Sequence, residues 1–207
     1  MVMVACFFST TMLRSELTGI VIAGGKSRRM GAEKGLIPFG GKPLIIYPVE
    51  ILTKVCTRVI ISANSHAYDF LGLPVISDRA SKGGPMTGIC SGLLASATEY
   101  NILLSCDMPM ITAGLLVHLI ASADGCKAAV AWHRGFAEPL CGLYHRSLIN
   151  VLESHIREGK FKLITFLEEI GARFIRIDER LPFYHPYLFL NINTPQDVEV
   201  GEKFIGN

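Results

Sequence analysis

The chain predicts an α/β fold, a three-layer sandwich of helices around a mostly parallel, twisted sheet. Three observations point there. Short apolar runs that stop at glycine or a polar residue alternate with stretches of helical periodicity along the length. Half of the 207 residues are hydrophobic and 18% are charged, which supplies a large core for one domain. No low-complexity linker or internal repeat interrupts the alternation.

The first apolar run, 17–23, reads as a buried strand that ends at Gly24 and Gly25. Lys42 and Pro43 then open a helical pattern through Leu44, Ile45, Tyr47, Ile51, Leu52 and Val55. Pro43 suits a first turn, whereas Pro48 removes a hydrogen bond unless it also lies near the start. Residues 59–61 and 74–77 read as the second and third strands, followed by Asn64 and Asp78. After the glycine-rich loop 81–85, residues 87–97 form a small-residue helix. The spacing of Gly84, Gly88 and Gly92 predicts a closely packed face. Residues 101–106 are the fourth strand, ending at Asp107, and Thr112 is an N-cap for a helix over 113–121.

Residues 128–132 and 139–144 are the fifth and sixth strands, the latter broken by Gly142. Ser147 caps a helix to 158, and another spans 163–170. Residues 173–177 and 188–191 read as the last strands, and Thr194 and Pro195 cap and open a final helix. The second half contains one antiparallel excursion. In such sheets ligands sit beyond the carboxyl ends of the strands, which brings Gly24, Gly25, Asn64, Asp78 and Asp107 to one rim.

The glycine turn is followed by Arg28, Arg29 and Lys34. Bare backbone amides and flexible cations suit a polyanion such as a triphosphate. The stretch is neither G-x-x-x-x-G-K-[ST] nor G-x-G-x-x-G, so the local physics also admits a basic surface turn after a core strand. Asp107, ending a strand before Met108 and Pro109, is placed either to bind a divalent metal or to cap the next turn. Asn64 suits a base edge or a turn, and Asp78 a nucleotide hydroxyl, a base N–H or a loop cap.

A net charge of +2 gives no footprint for nucleic acid. The six cysteines form no C-x-x-C pair or zinc spacing and read as thiols of a reducing cytoplasm. His133, Arg134, His145 and His185 imply neither a zinc site nor a general base. Residues 1–16 read as an extension or an over-long start, with Met12 an alternative first residue, and 17–207 as the domain. The apolar stretch 1–8 is too short for a membrane span, which takes ~20 residues, and no other run suffices.

The pattern Ala23-Gly24-Gly25-x-Ser27-x-Arg29-Met30-Gly31-x-x-Lys34, followed by Gly41-Lys42-Pro43-Leu44, resembles the signature of the nucleotide-sugar-pyrophosphorylase-like nucleotidyltransferases, and in its form the molybdenum cofactor guanylyltransferase family. Cys106-Asp107-Met108-Pro109, Gly84-Pro85-Met86-Thr87-Gly88 and Asn191-Ile192-Asn193-Thr194-Pro195-Gln196-Asp197 are similar to further motifs of that family, with Met86 where the family has leucine. The resemblance spans 17 to about 200 and implies a Rossmann-like fold.

It further implies a cytoplasmic enzyme that moves GMP from GTP to molybdenum–molybdopterin with Mg²⁺, alongside molybdopterin-handling proteins and recipient molybdoenzymes. By the same resemblance Ile22, Ala23, Gly24, Gly25, Lys34, Asn64, Asp78 and Asp107 bind the nucleotide. Arg29, Lys34 and Asp107 carry catalysis, and Asp107 and Asn191 hold the metal, one asparagine of that motif completing the metal or phosphate shell. Lys160 and Lys162 face the acceptor or are simply solvated, and Glu138 contacts the pterin or faces solvent. Related readings are a transferase for CTP or another acceptor phosphate, and a non-catalytic nucleotide-binding module.

Overall fold

The computed structural model describes residues 17–24, 26–27, 32–78 and 84–205. Within them β1 (Leu17–Ile22) is buried along its whole length and lies inside a seven-stranded sheet. The other strands of that sheet are β6 (Arg58–Ser62), β7 (Val75–Ile76), β8 (Tyr100–Ser105), β9 (Ala128–His133), β10 (Phe136–His145) and β11 (Arg173–Arg176). Their order is β11-β9-β10-β8-β1-β6-β7. Every pairing is parallel except those of β10, which runs against both β8 and β9. This is the antiparallel excursion expected in the second half. Two-residue strands form two small ribbons: β2 (Lys26–Ser27) with β3 (Ala32–Glu33), and β4 (Pro38–Phe39) with β5 (Lys42–Pro43).

Helices cover both faces. On one, α1 (Ile46–Val55) and α3 (Ala113–Ser122) place Leu52, Leu115, Leu116 and Leu119 against Val21, Ile61, Ile102 and Leu104. On the other, α2 (Pro85–Ala95), α4 (Ile149–Arg157) and α5 (Leu163–Glu169) place Ile89, Leu93, Leu152 and Phe166 against Ile20, Ile22, Leu103 and Val130. A parallel strand buried on both faces reads as a near-continuous apolar run, and β1 does so apart from Thr18, whose hydroxyl accepts from that of Thr98 at 2.9 Å. The glycine face of α2 is as expected. A Cβ at Gly92 would lie 2.7 Å from Cγ2 of Ile20, so the small residue lets helix and strand approach.

Three expectations change. Lys42 and Pro43 do not begin a helix. Gly40 and Gly41, with φ of 56° and 81°, make a tight hairpin turn that joins β4 to β5. The helix starts at Ile46, which puts Pro48 in its first turn, where a missing N–H costs nothing. Residues 188–191 are not a strand. Leu188 and Leu190 donate their amides to His185 and Tyr187 in successive turns. Leu188 and Phe189 both enter the first core, which an alternating strand cannot do, while Leu190 joins a satellite cluster with Phe39, Leu44 and Ile192. Ser147 is not a cap; His145 accepts the Ser147 amide and opens a short 3₁₀ turn ahead of α4.

The last helix, α6 (Pro195–Glu202), begins as expected at Thr194, whose hydroxyl accepts the amide of Asp197 while Asp197 reaches back in a capping box. Thr112 likewise caps α3, accepting from Leu115.

Candidate active site

The carboxyl ends of β1, β6, β7 and β8 are locked into one rim by backbone bonds. Ala23 donates to Ser62, Ala63 to Ile76, and Cys106 to Ile22. Each partner is the residue just beyond or at the end of a neighbouring strand. The rim therefore brings Ile22, Ala23, Gly24, Asn64, Asp78 and Asp107 together, as parallel register requires. Gly25 and Arg29 lie outside the described residues. A Cβ at Gly24 would meet nothing within 4 Å among the described residues. Core packing thus does not demand glycine there, and the open backbone leaves room for a ligand.

Asp107 is the most enclosed charged group of the rim, 6% exposed. The Lys34 ammonium donates to one of its oxygens, and the Ser105 hydroxyl to the other. The same ammonium donates to Oδ1 of Asn193 at 2.6 Å. Lys34 opens a 3₁₀ turn whose next residue, Gly35, presses on Tyr68. A Cβ on Gly35 would lie 2.9 Å from the Tyr68 ring and hydroxyl, so only glycine seats the turn so low. Asn193 is delivered by the chain that enters α6. The Ile192 amide donates to the Asp107 carbonyl at 2.9 Å, and Asp197 accepts from the Asn193 amide. The Asn191 side chain instead donates to the Phe189 carbonyl at 3.4 Å. Of the two asparagines, Asn193 is the one brought to the cluster.

The second carboxylate is held differently. Asn64 donates from Nδ2 to Asp78 Oδ2 at 3.0 Å and accepts the Asp78 amide on Oδ1 at 2.7 Å. The Thr87 hydroxyl, in the first turn of α2, also donates to Oδ2 at 3.3 Å. Oδ1 of Asp78 is buried and has no partner among the described residues. Burial pushes the Asp78 pKa up, against the hydrogen bonds of Asn64, Thr87 and Ser62.

On the other flank a feature appears that sequence reading left open. The last β8–β10 rung is Cys141–Leu104, so Glu138 lies beyond it on β10, on the side where β8 ends and Asp107 follows. Between Glu138 and Gly142 β10 bulges, while its partner β9 advances only from Ala131 to Val130. Gly142 permits this, since a Cβ there would lie 2.6 Å from the Ala129 carbonyl oxygen. The buried Tyr144 hydroxyl donates to the Pro139 carbonyl at 2.6 Å and holds the bulge. Burial first, and the Asp107 charge second, push the half-buried Glu138 up to about 7. The glycine inside an apolar strand was the available signal for the bulge.

The remaining candidates stand apart. Lys160 is exposed and pairs with Glu158 at 2.8 Å, and no hydrogen bond or ion pair among the described residues ties it or Lys162 to the cluster. Lys42 pairs with Glu50 at 2.6 Å. Cys106 is buried, its thiol pushed up to about 12 first by burial, so it is core and not a nucleophile. His133 and His185 are spent on the carbonyls of Ile177 and Met110. No helix among the described residues is long and apolar enough to cross a membrane.

The arrangement can compensate anions and carry a cation. Asp107 and Asn193, with the Ser105 hydroxyl alongside, form an all-oxygen donor set, which fits a hard divalent ion such as Mg²⁺. No group of three or more His, Cys, Asp or Glu among the described residues could hold a metal alone.

A family model for the MobA-like NTP transferase domain matches residues 19–172. The chain is 35% identical over 186 residues to a probable molybdenum cofactor guanylyltransferase of Carboxydothermus hydrogenoformans, covering 89% of this chain and 94% of that one. It is 33% identical over 195 residues to the molybdenum cofactor guanylyltransferase of Yersinia pestis, covering 92% and 97%. Among solved structures it is similar to molybdopterin-guanine dinucleotide biosynthesis protein A of Archaeoglobus fulgidus, with a TM-score of 0.76, 26% identity, and 90% and 97% of the two chains covered. Sequence, fold and rim agree: the chain belongs to the molybdenum cofactor guanylyltransferase family of MobA-like nucleotidyltransferases.

Proposed function

We propose that this protein transfers GMP from GTP to the phosphate of molybdenum–molybdopterin, forming a guanine dinucleotide and releasing pyrophosphate. The observation that carries the reading is the union of Lys34, Asp107 and Asn193, from three distant parts of the chain, at the rim where β1 opens into its glycine turn. The family's named activity supplies the substrates.

The chemistry needs no protein nucleophile. An oxygen of the acceptor phosphate forms a bond to the α-phosphorus of GTP. The bond from that phosphorus to the bridging oxygen breaks, and pyrophosphate leaves with the electron pair. The obstacle is repulsion between two anions, so positioning and charge compensation dominate. Gly24 and Gly25 offer amides, and Arg29 a guanidinium, to the β- and γ-phosphates. Lys34 compensates charge that grows on the α-phosphate. Asp107, with Asn193 as a candidate neutral ligand, would hold Mg²⁺, which supplies positive charge to both phosphates when bound. Asn64 and Asp78 hold the nucleoside; the unpartnered Asp78 oxygen suits a base N–H or a ribose hydroxyl. The same reading puts the enzyme in the cytoplasm, with recipient molybdoenzymes downstream.

The test is pyrophosphate release from GTP, CTP and UTP, each with Mg²⁺ and molybdenum–molybdopterin. Release with GTP, matched by guanine dinucleotide, is the expected result. Equal release with CTP, or none with GTP, would overturn it.

A further inference from the structure

We propose that Glu138 positions the acceptor by its ring: the carboxylate that the β10 bulge carries to the flank of Asp107 accepts hydrogen bonds from ring N–H donors of the pterin. The inference rests on the function proposed above and assigns a residue to the acceptor half of the same rim.

The topology argues first. Gly24, Asn64 and Asp78 stand at the ends of β1, β6 and β7, on one side of Asp107 at the end of β8. A nucleotide held there has its phosphates at Lys34 and Asp107. The second substrate must bring its own phosphate to the same point, and the strand that flanks β8 on the other side is β10. Glu138 lies on that strand beyond the last β8–β10 rung, on the side where β8 ends and Asp107 follows.

The bulge argues second. It interrupts the β9–β10 ladder between Glu138 and Gly142 and is held by two buried devices, the Tyr144–Pro139 hydrogen bond and the glycine at 142. Bulges of this kind re-aim a side chain beside an active site.

The chemistry argues third. Glu138 is half-buried, close enough to feel the Asp107 charge, and has no ion-pair or hydrogen-bond partner among the described residues. A carboxylate there repels phosphate, so it cannot be the grip for the charged end of the acceptor. It asks for donors. A pterin presents an amino group beside a ring N–H, two parallel donors that match the two oxygens of a carboxylate.

The test uses the full chain with Glu138→Gln and Glu138→Ala. A fluorescent pterin carrying one side-chain phosphate is titrated without nucleotide, GTP affinity is measured separately, and steady-state turnover is then followed at saturating GTP and Mg²⁺. Pterin affinity should weaken roughly 10- to 100-fold in both variants, as expected for a lost charge-assisted hydrogen bond. The acceptor KM should rise in parallel, with GTP affinity and the Mg²⁺ requirement unchanged. If Glu138→Ala does not fold, as a melting curve reports, Glu138→Gln decides. Pterin affinity within twofold of wild type in the variants overturns the proposal, as does a wild type that binds no pterin phosphate. A raised Mg²⁺ requirement with normal pterin binding also overturns it and makes Glu138 a metal residue. Failure of the functional reading is a separate result, the absence of pyrophosphate release by wild type, and the pterin titration still judges Glu138.

Discussion

Asp78 and Asp107 both follow parallel strands onto the same rim, yet their surroundings differ. Asp107 is enclosed and compensated: an ammonium takes one oxygen and a hydroxyl the other. Among the described residues Asp78 is bound by neutral side chains, with Asn64 and Thr87 both on one oxygen, and its second oxygen is buried without a partner. A carboxylate matched by a cation suits the charge-handling role proposed for Asp107, in which a metal would take the place of Lys34. A carboxylate with an orphan acceptor is poised to receive a donor. Two aspartates at equivalent places in a fold can thus be separated into charge handling and recognition by their partners alone.

Substitutions can break or sharpen that contrast. Asp107→Ala should have the largest effect, a fall in turnover on the order of 10³-fold or more, because it removes the proposed anchor for Mg²⁺. Mg²⁺-dependent activity near wild type in a pyrophosphate assay would take Asp107 out of that role. Lys34→Ala should lower kcat by roughly 10²-fold. A change confined to GTP affinity would instead make Lys34 a ground-state binder. Asp78→Ala should act on recognition, raising the KM for GTP about 10-fold with kcat little changed, the cost of one charge-assisted hydrogen bond. If kcat fell as far as in Lys34→Ala, the division between the two aspartates would collapse.

The smallest effect concerns stability and the third carboxyl of the rim. Glu138 is raised from 4.5 to about 7 in the fold, so between those values the native state binds more protons than the unfolded chain. Its contribution is fully present below about 4.5 and is lost as pH rises through 7. Glu138→Gln has no such loss. Melting temperatures from pH 4.5 to 8 should show the variant gaining on wild type as pH rises; parallel curves would contradict this.

Much of the fold was legible because a doubly covered parallel sheet imposes simple patterns. The run 17–23 stops at glycines, and 101–106 stops at an aspartate, so both strand and rim could be read locally. The Thr112 and Thr194 caps are equally local. What was missed depends on contacts between distant segments. The Gly40–Gly41 hairpin was hidden because Lys42-Pro43 also suits a helix start. The triplet at 188–190 is strand-like in composition, but its side chains divide between two cores. Asn191 and Asn193 are equivalent in sequence, and only the Ile192–Asp107 backbone bond decides which one reaches Lys34. For Glu138 the sequence admits both pterin and solvent, because the length of a bulge is set by the partner strand and not by Gly142 alone. The pairing of Lys160 with Glu158 likewise could not be read from its loop position.

The most direct test of the contrast is Mn²⁺ binding, followed by electron paramagnetic resonance in the presence of GTP, for wild type, Asp107→Ala and Asp78→Ala. The predicted result is protein-bound Mn²⁺ that is lost in Asp107→Ala and kept in Asp78→Ala once GTP is raised to saturation. Undiminished binding in Asp107→Ala, or loss in Asp78→Ala at saturating GTP, would contradict the assignment of charge to one aspartate and recognition to the other.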